Sequence, residues 1–378
     1  MLSKIRSTTF LTGYFIYLAS FYIMYASNYQ MLLNNTSISY KSMYYIATIL
    51  ILISILMLKK NLVEWIFNSL ILVIGLITLK TSNDNLFMIS CLFIVASQGI
   101  NFSAFLKLDI TFRTLLFLVV AISNKLGIIA DAVLYRSDGF ARTAFGFLQP
   151  NTAGALVLSI VLEFIILKFN KINLLDGFII CVTAGMLFYT TNSRSSVIGI
   201  MLALILTIVF KSNLKKILVS KLFLSTMSLI PFILAILSYA AVKLYNSGST
   251  FLIVMDKLFS GRIHLINYFI NTYQLKLFGQ HIQFADSMNL RNTYFLVMDN
   301  SYISILLKYG ILPFCMFLIL YYLKIKKVQL DANGIPELIA ILVMCAVGLM
   351  ETELFYPAYN ITLLYLMNYR NKKAENYV

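Results

Sequence analysis

Asp299-Asn300-Ser301-Tyr302-Ile303-Ser304-Ile305-Leu306-Leu307-Lys308-Tyr309-Gly310 is a polar tetrad that runs directly into an apolar helical pattern. It closes the longest polar stretch of the chain, which opens near Lys243 and carries Ser260-Gly261-Arg262 and Leu277-Phe278-Gly279 on the way. Nearly everything outside it is apolar helix. A long loop set between such helices is where a substrate is handled, because loops held on a rigid scaffold carry most binding and catalytic groups.

Working outward, composition sets the class. The chain is 60% hydrophobic and only 12% charged, and apolar runs of about 15–20 residues recur along it, the length needed to cross a bilayer. The expectation is an all-α, polytopic integral membrane protein. Its spans fall near 10–27, 43–58, 62–79, 86–103, 113–130, 151–167, 174–190, 195–210, 220–241, 302–323, 335–350 and 357–368. These twelve transmembrane helices form a single domain over residues 1–378, and residues 243–300 make a large external loop between spans nine and ten. Lys4 and Arg6 precede the first apolar run without a small-residue cleavage site, so an uncleaved first helix is expected. Cys91, Cys181, Cys315 and Cys345 each lie alone in an apolar run, which predicts buried thiols and neither a disulfide framework nor a zinc cluster.

Basic residues recur on alternate loops: Lys4 and Arg6, Lys59 and Lys60, Lys107 and Arg113, Lys168 and Lys171, Lys211 to Lys221, Lys324 to Lys327, and Arg370 to Lys373. By the positive-inside rule these loops and both termini are cytoplasmic. The net charge of +15 then reports orientation and contact with anionic lipid, and nucleic acid need not be invoked. The external loops are Asp131–Pro150, Thr190–Ser195, Lys243–Asn300 and Glu351–Pro357, with Asn28–Lys41 a lesser one.

Arginine runs against that pattern. Arg136, Arg142, Arg194, Arg262 and Arg291 are external, whereas Arg6, Arg113 and Arg370 are cytoplasmic. A guanidinium offers a planar fork that pairs two phosphate or carboxylate oxygens, which lysine cannot do. An external anionic ligand such as a diphosphate accounts for the bias, and ion pairs with Asp131, Asp138, Asp286 or Glu351 are the structural alternative. Three further features point to the outer face. Gly146–Gly154 closes a loop at Pro150 and opens a span, so free backbone N–H groups face outward at Asn151. Thr190–Ser195 is a tight polar hairpin carrying Arg194. Lys308 lies about two turns inside the tenth span, where a charge faces a partner or a cavity, or snorkels to the surface.

In combination these motifs resemble the Wzy and O-antigen ligase superfamily. The resemblance rests on Gly-Phe-x-x-Pro-Asn at Gly146–Asn151, Ser193-Arg194, Gly261-Arg262, and Asp299–Tyr302 followed by Tyr309-Gly310, and covers about Asp131 to Asn360. The arginine-and-glycine repeat described for some of these polymerases is not matched: Arg136 to Gly146 is one residue short and Arg142 to Gly154 one long. The resemblance implies a GT-C-like membrane glycosyltransferase of the bacterial cell membrane, acting externally on a glycan carried by undecaprenyl diphosphate. A polymerase passes the glycan to a lipid-linked repeat unit during capsule, exopolysaccharide or O-antigen synthesis, with a chain-length regulator as possible partner. A ligase passes it to another acceptor, and a flippase or transporter is the alternative from another class.

Such a transfer must stabilise charge on the departing diphosphate while a base takes the acceptor's proton. Arg194 and Arg262 are the first candidates for diphosphate contacts, then Arg136 and Arg142, with Asn151, Tyr302 and Lys308 as further binding residues. No external Asp-x-Asp occurs and the nearest acidic pair is Glu351 with Glu353, so no metal or cofactor is expected. His281, Asp299 and Glu351 compete for the role of base.

Overall fold

The computed structural model describes residues 2–32, 37–135, 139–212, 221–245, 248–258, 261–283, 298–328 and 334–368. They are mostly helical, as the apolar runs require, with one two-residue hairpin as the named sheet among them. In chain order the helices are α1 Leu2–Ala19 (continued by a π-helical turn, Ser20–Tyr25), α2 Tyr29–Leu32, α3 Ser37–Leu56, α4 Leu62–Ser82, α5 Leu86–Ala96 and α6 Phe102–Lys125. Strands β1 Leu134–Tyr135 and β2 Ala141–Arg142 follow. Then come α7 Pro150–Lys168, α8 Leu174–Thr191, α9 Arg194–Lys211, α10 Lys221–Met227, α11 Ile230–Tyr245, α12 Thr250–Leu258, α13 Arg262–Thr272 and α14 Ser301–Ser304. A second π-helical turn, Ile305–Tyr309, leads to α15 Ile311–Val328, α16 Ile335–Val347 and α17 Thr362–Tyr365.

Helix starts follow local chemistry. Asn61 with Glu64 and Asn173 with Asp176 form reciprocal capping boxes, so the backbone donors at the starts of α4 and α8 are satisfied from within the sequence. Asn192 adopts a left-handed φ of 46° and separates α8 from α9 at the break expected from the polar hairpin.

Among the described residues four helices are long and apolar enough to cross a membrane: Leu62–Ser82, Pro150–Lys171, Leu174–Thr191 and Arg194–Lys211. A fifth is added if Ile230–Tyr245 and Thr250–Asp256, bent by 113°, count as one span. Three shorter apolar helices accompany them. The fold is therefore all-α, with four or five helices of the length and composition to cross a membrane among the described residues.

Several expected spans take a different form: 86–103 is broken between Ala96 and Phe102, 220–241 between Met227 and Ile230 and 302–323 at Gly310, and two others depart further. Arg113, read as a cytoplasmic loop residue, is fully buried in the middle of α6, where it pairs with Asp109 and Glu163. A charge inside an apolar run reads as an edge in sequence, and only tertiary packing supplies its partners. The last expected span, 357–368, is no continuous helix: between Glu351 and Asn368 only Glu353–Phe355 and Thr362–Tyr365 are helical turns. Pro357 removes a donor, and the backbone there bonds to side chains instead. Ser90 donates to the Phe355 carbonyl, Tyr22 and Arg113 to Ala358, and Ser159 to Tyr359. Buried irregular backbone is tolerated where the surrounding protein satisfies its polar groups in this way. The cysteines divide, with Cys91 and Cys345 buried and Cys181 and Cys315 exposed on α8 and α15, so burial holds for two of the four.

Candidate functional site

Glu351 is the point at which several loops meet. Its Oε1 accepts from Arg262 Nη2 at 2.7 Å, Ser195 Oγ at 2.6 Å and Asn151 Nδ2 at 3.1 Å. Arg142 extends the network: its Nη2 donates to Asn151 Oδ1 at 2.6 Å and its Nε to the Thr191 carbonyl at 2.7 Å. On the other side Arg262 Nη2 lies 3.5 Å from Asp299 Oδ2. Three segments far apart in sequence thus converge on one carboxylate carried by a fourth.

Each segment is held by local chemistry. Arg142 stands on β2, which pairs with β1 in the register Leu134↔Arg142. Asp131 Oδ1 accepts from the Ala144 and Gly146 amides, both at 3.1 Å, and fixes the turn leading to Pro150 and Asn151 at the start of α7. The Thr143 amide donates to the Thr190 carbonyl at 3.1 Å and joins this turn to the hairpin bearing Ser195. Arg262 is the first residue of α13, which follows Gly261 at φ 78°. Asp256 Oδ1 accepts from the Ile263 and His264 amides at 2.8 and 3.1 Å and so caps that helix.

The Asp299–Tyr302 tetrad docks onto the end of α16. Ser301 donates its amide to Gly348 O at 2.8 Å and its hydroxyl to Glu351 O at 2.5 Å, and Asn300 Nδ2 donates to Leu349 O at 2.9 Å. Tyr302 is buried, with its hydroxyl given to Cys345 O at 2.9 Å. The motif therefore sets the position of Asp299 against Arg262 and Glu351.

The carboxyl groups here differ in environment. Burial, then the neighbouring Glu351 charge, pushes the Asp299 carboxyl up to about 6 while Arg262 pulls it down. It is crowded by protein, yet 28% of its side chain remains open to solvent. Glu353, buried behind Glu351, is pushed well above the carboxylate range by burial and then by Glu351. Burial lowers the Arg262 guanidinium, and Glu351 and Asp299 more than offset it, so Arg262 is held charged.

The remaining candidates lie elsewhere. Arg194, exposed at the first position of α9, flanks Ser195 but takes no part in the Glu351 network. Lys308 pairs with Asp84, whose Oδ1 also accepts from Tyr309 Oη at 3.2 Å. His281 is exposed, its Nδ1 lying 3.2 Å from Ser82 O beside that second cluster. Arg136 lies outside the described residues. Sequence reasoning passed over Ser195 and Asp84. Ser195 carried a signal as the hairpin neighbour of Arg194, whereas the short turn holding Asp84 carried none.

Comparison with known proteins finds no match for the chain, whether among family models, curated proteins or solved structures.

Proposed function

We propose that the protein is an oligosaccharide repeat-unit polymerase that transfers a glycan from undecaprenyl diphosphate to a lipid-linked repeat unit at the external face of the bacterial cell membrane. A GT-C-like arrangement of the apolar spans, with both termini cytoplasmic, belongs to this reading. One observation supports it above the others: of the five loops that the charge pattern assigns to the outer face, three meet at Glu351 on a fourth, bringing Arg142, Arg262 and Asp299 into one network.

The roles follow from the contacts. Glu351 Oε1 is committed to three donors, so it positions Arg262 and leaves proton transfer to Asp299, which has weaker pairing and access to solvent. In the reaction the acceptor hydroxyl oxygen attacks the anomeric carbon, the bond to the diphosphate oxygen breaks, and the proton passes to Asp299. Arg262 and Arg142 take up the charge on the lipid diphosphate as it leaves, which a fork of N–H donors does without a metal. The test is to label lipid-linked units in a strain lacking the protein. Single units should accumulate outside the membrane with polymer lost; units retained inside would mean a flippase and would overturn the reading.

Arg194 offers a guanidinium to solvent next to the site, and Arg194→Lys keeps its charge while removing the fork. If it binds the diphosphate, polymer synthesis falls by at least roughly tenfold, the worth of one charge-assisted contact of about 1.5–3 kcal/mol, with protein level in the membrane unchanged. A fully active variant would leave the diphosphate to Arg142 and Arg262.

A further inference from the structure

Deep below the candidate site, α6 and α7 enclose a charge imbalance. Arg113 Nε lies 3.2 Å from Asp109 Oδ1 and 2.9 Å from Glu163 Oε1, and all three side chains are fully buried. Tyr14 donates to Asp109 Oδ2 at 2.8 Å and accepts from Arg113 Nη2 at 2.7 Å, and Tyr22 receives Arg113 Nη1 at 3.3 Å. The groups facing the cluster are thus Tyr14 and Tyr22 from α1 and its π-turn, Asp109 and Arg113 from α6, and Glu163 from α7, with Glu353 acting on Tyr22 from beyond. One cation faces two carboxyl groups.

The oxygens tell the same story as the charge count. Both carboxyl groups crowd onto the same Arg113 nitrogen, yet Arg113 Nε, Asp109 Oδ1 and both Glu163 oxygens make no well-aligned hydrogen bond among the described residues. Two carboxylates held this close to one cation, sealed from water, repel each other unless one of them carries a proton. The net negative charge left by two ionised carboxylates beside one guanidinium would also be costly to bury among membrane helices.

We propose that Asp109 and Glu163 share one proton, forming an intramembrane proton-binding site that neutralises the excess charge beside Arg113. A carboxyl–carboxylate hydrogen bond satisfies the orphaned oxygens and leaves one negative charge against one guanidinium. The site is tied to the candidate active site by backbone. Arg113 and Tyr22 both donate to Ala358 O, seven residues beyond Glu351 in the same irregular segment. Glu163 lies on α7 about 18 Å below Asn151, at about 1.5 Å per residue.

The experiment is infrared spectroscopy of the purified full chain at neutral pH, reading the C=O stretch of protonated carboxyl groups and its shift on exchange into D2O. Wild-type protein should show a protonated-carboxyl band that Glu163→Gln removes. Asp109→Asn should remove it too, because the surviving carboxyl group then faces Arg113 alone and ionises. Either variant suffices if the other fails to fold. Identical protonated-carboxyl bands in wild type and a folded variant would overturn the proposal, since both carboxyl groups would then be ionised in the native protein.

Discussion

Replacing Glu351 by Ala is expected to reduce polymer synthesis to about a hundredth of the wild-type rate or less, and to lower the melting temperature of the purified protein. The substitution removes the acceptor of Arg262, Ser195 and Asn151 at once. Glu351 is 7% exposed and Arg262 18% exposed, so the guanidinium left behind has little water to replace its partner and keeps only Asp299 at 3.5 Å. Breaking a buried ion pair from one side costs about 3–5 kcal/mol. If the misplaced Arg262 loses that much of its hold on the transition state, the rate falls a hundredfold or more, at about 1.4 kcal/mol per factor of ten. Asp299→Asn provides the contrast. It removes the base but leaves all three donors on Glu351, so synthesis should collapse while the melting temperature stays near that of the wild type. Should Glu351→Ala melt normally and polymerise normally, Glu351 would not be the hub of the site. Activity is read as labelled polymer per unit of membrane protein, and melting from the same preparations in detergent.

Helices and loops were legible because their signals are local. The apolar runs give the helices, and Asn61, Asn173 and Pro150 mark helix starts by chemistry within a few residues. The arginines that break the lysine pattern point to these loops from sequence alone, and Arg142, Arg262, Asn151, Asp299 and Glu351 lie in one network. What was illegible depends on distant partners. Arg113 looks like a span edge because nothing near it in sequence shows that Glu163, fifty residues on, will face it. Residues 357–368 read as a short apolar span, yet the Ala358 and Tyr359 carbonyls are met by Tyr22, Arg113 and Ser159, all far upstream. Lys308 could face either a partner or the lipid surface, and Asp84 in an unremarked turn decides between them.

Leu277-Phe278-Gly279 and Tyr309-Gly310 look in sequence like recognition motifs, and the structure gives both a mechanical reason. The two glycines are where the large loop crosses the start of α15 with backbone against backbone. The Gln280 amide donates to Lys308 O at 3.0 Å, and the Ile311 and Leu312 amides donate to Lys276 O and Leu277 O, each at 3.0 Å. A Cβ on Gly279 would sit 2.2 Å from Lys308 O, and one on Gly310 would sit 2.3 Å from the Gly279 nitrogen. Both glycines also hold left-handed backbone, at φ 77° and 101°.

Gly279→Ala is accordingly expected to leave little folded protein in the membrane. The methyl group meets main chain that cannot rotate away, so the crossing must open, and the three backbone hydrogen bonds that close it are strained or lost. Gly248→Ala separates this effect from backbone conformation alone. Gly248 has φ 76° but nothing within 4 Å of its added Cβ, so it should show only the cost of a left-handed non-glycine residue, about 1–2 kcal/mol. Membrane abundance and melting temperature of the two variants, measured side by side, decide the matter. Equal behaviour of Gly279→Ala and Gly248→Ala would mean that the loop can move off α15 without cost. The pairing of Lys308 with Asp84, and the return of the chain toward Asp299, would then have to be held by something other than this crossing.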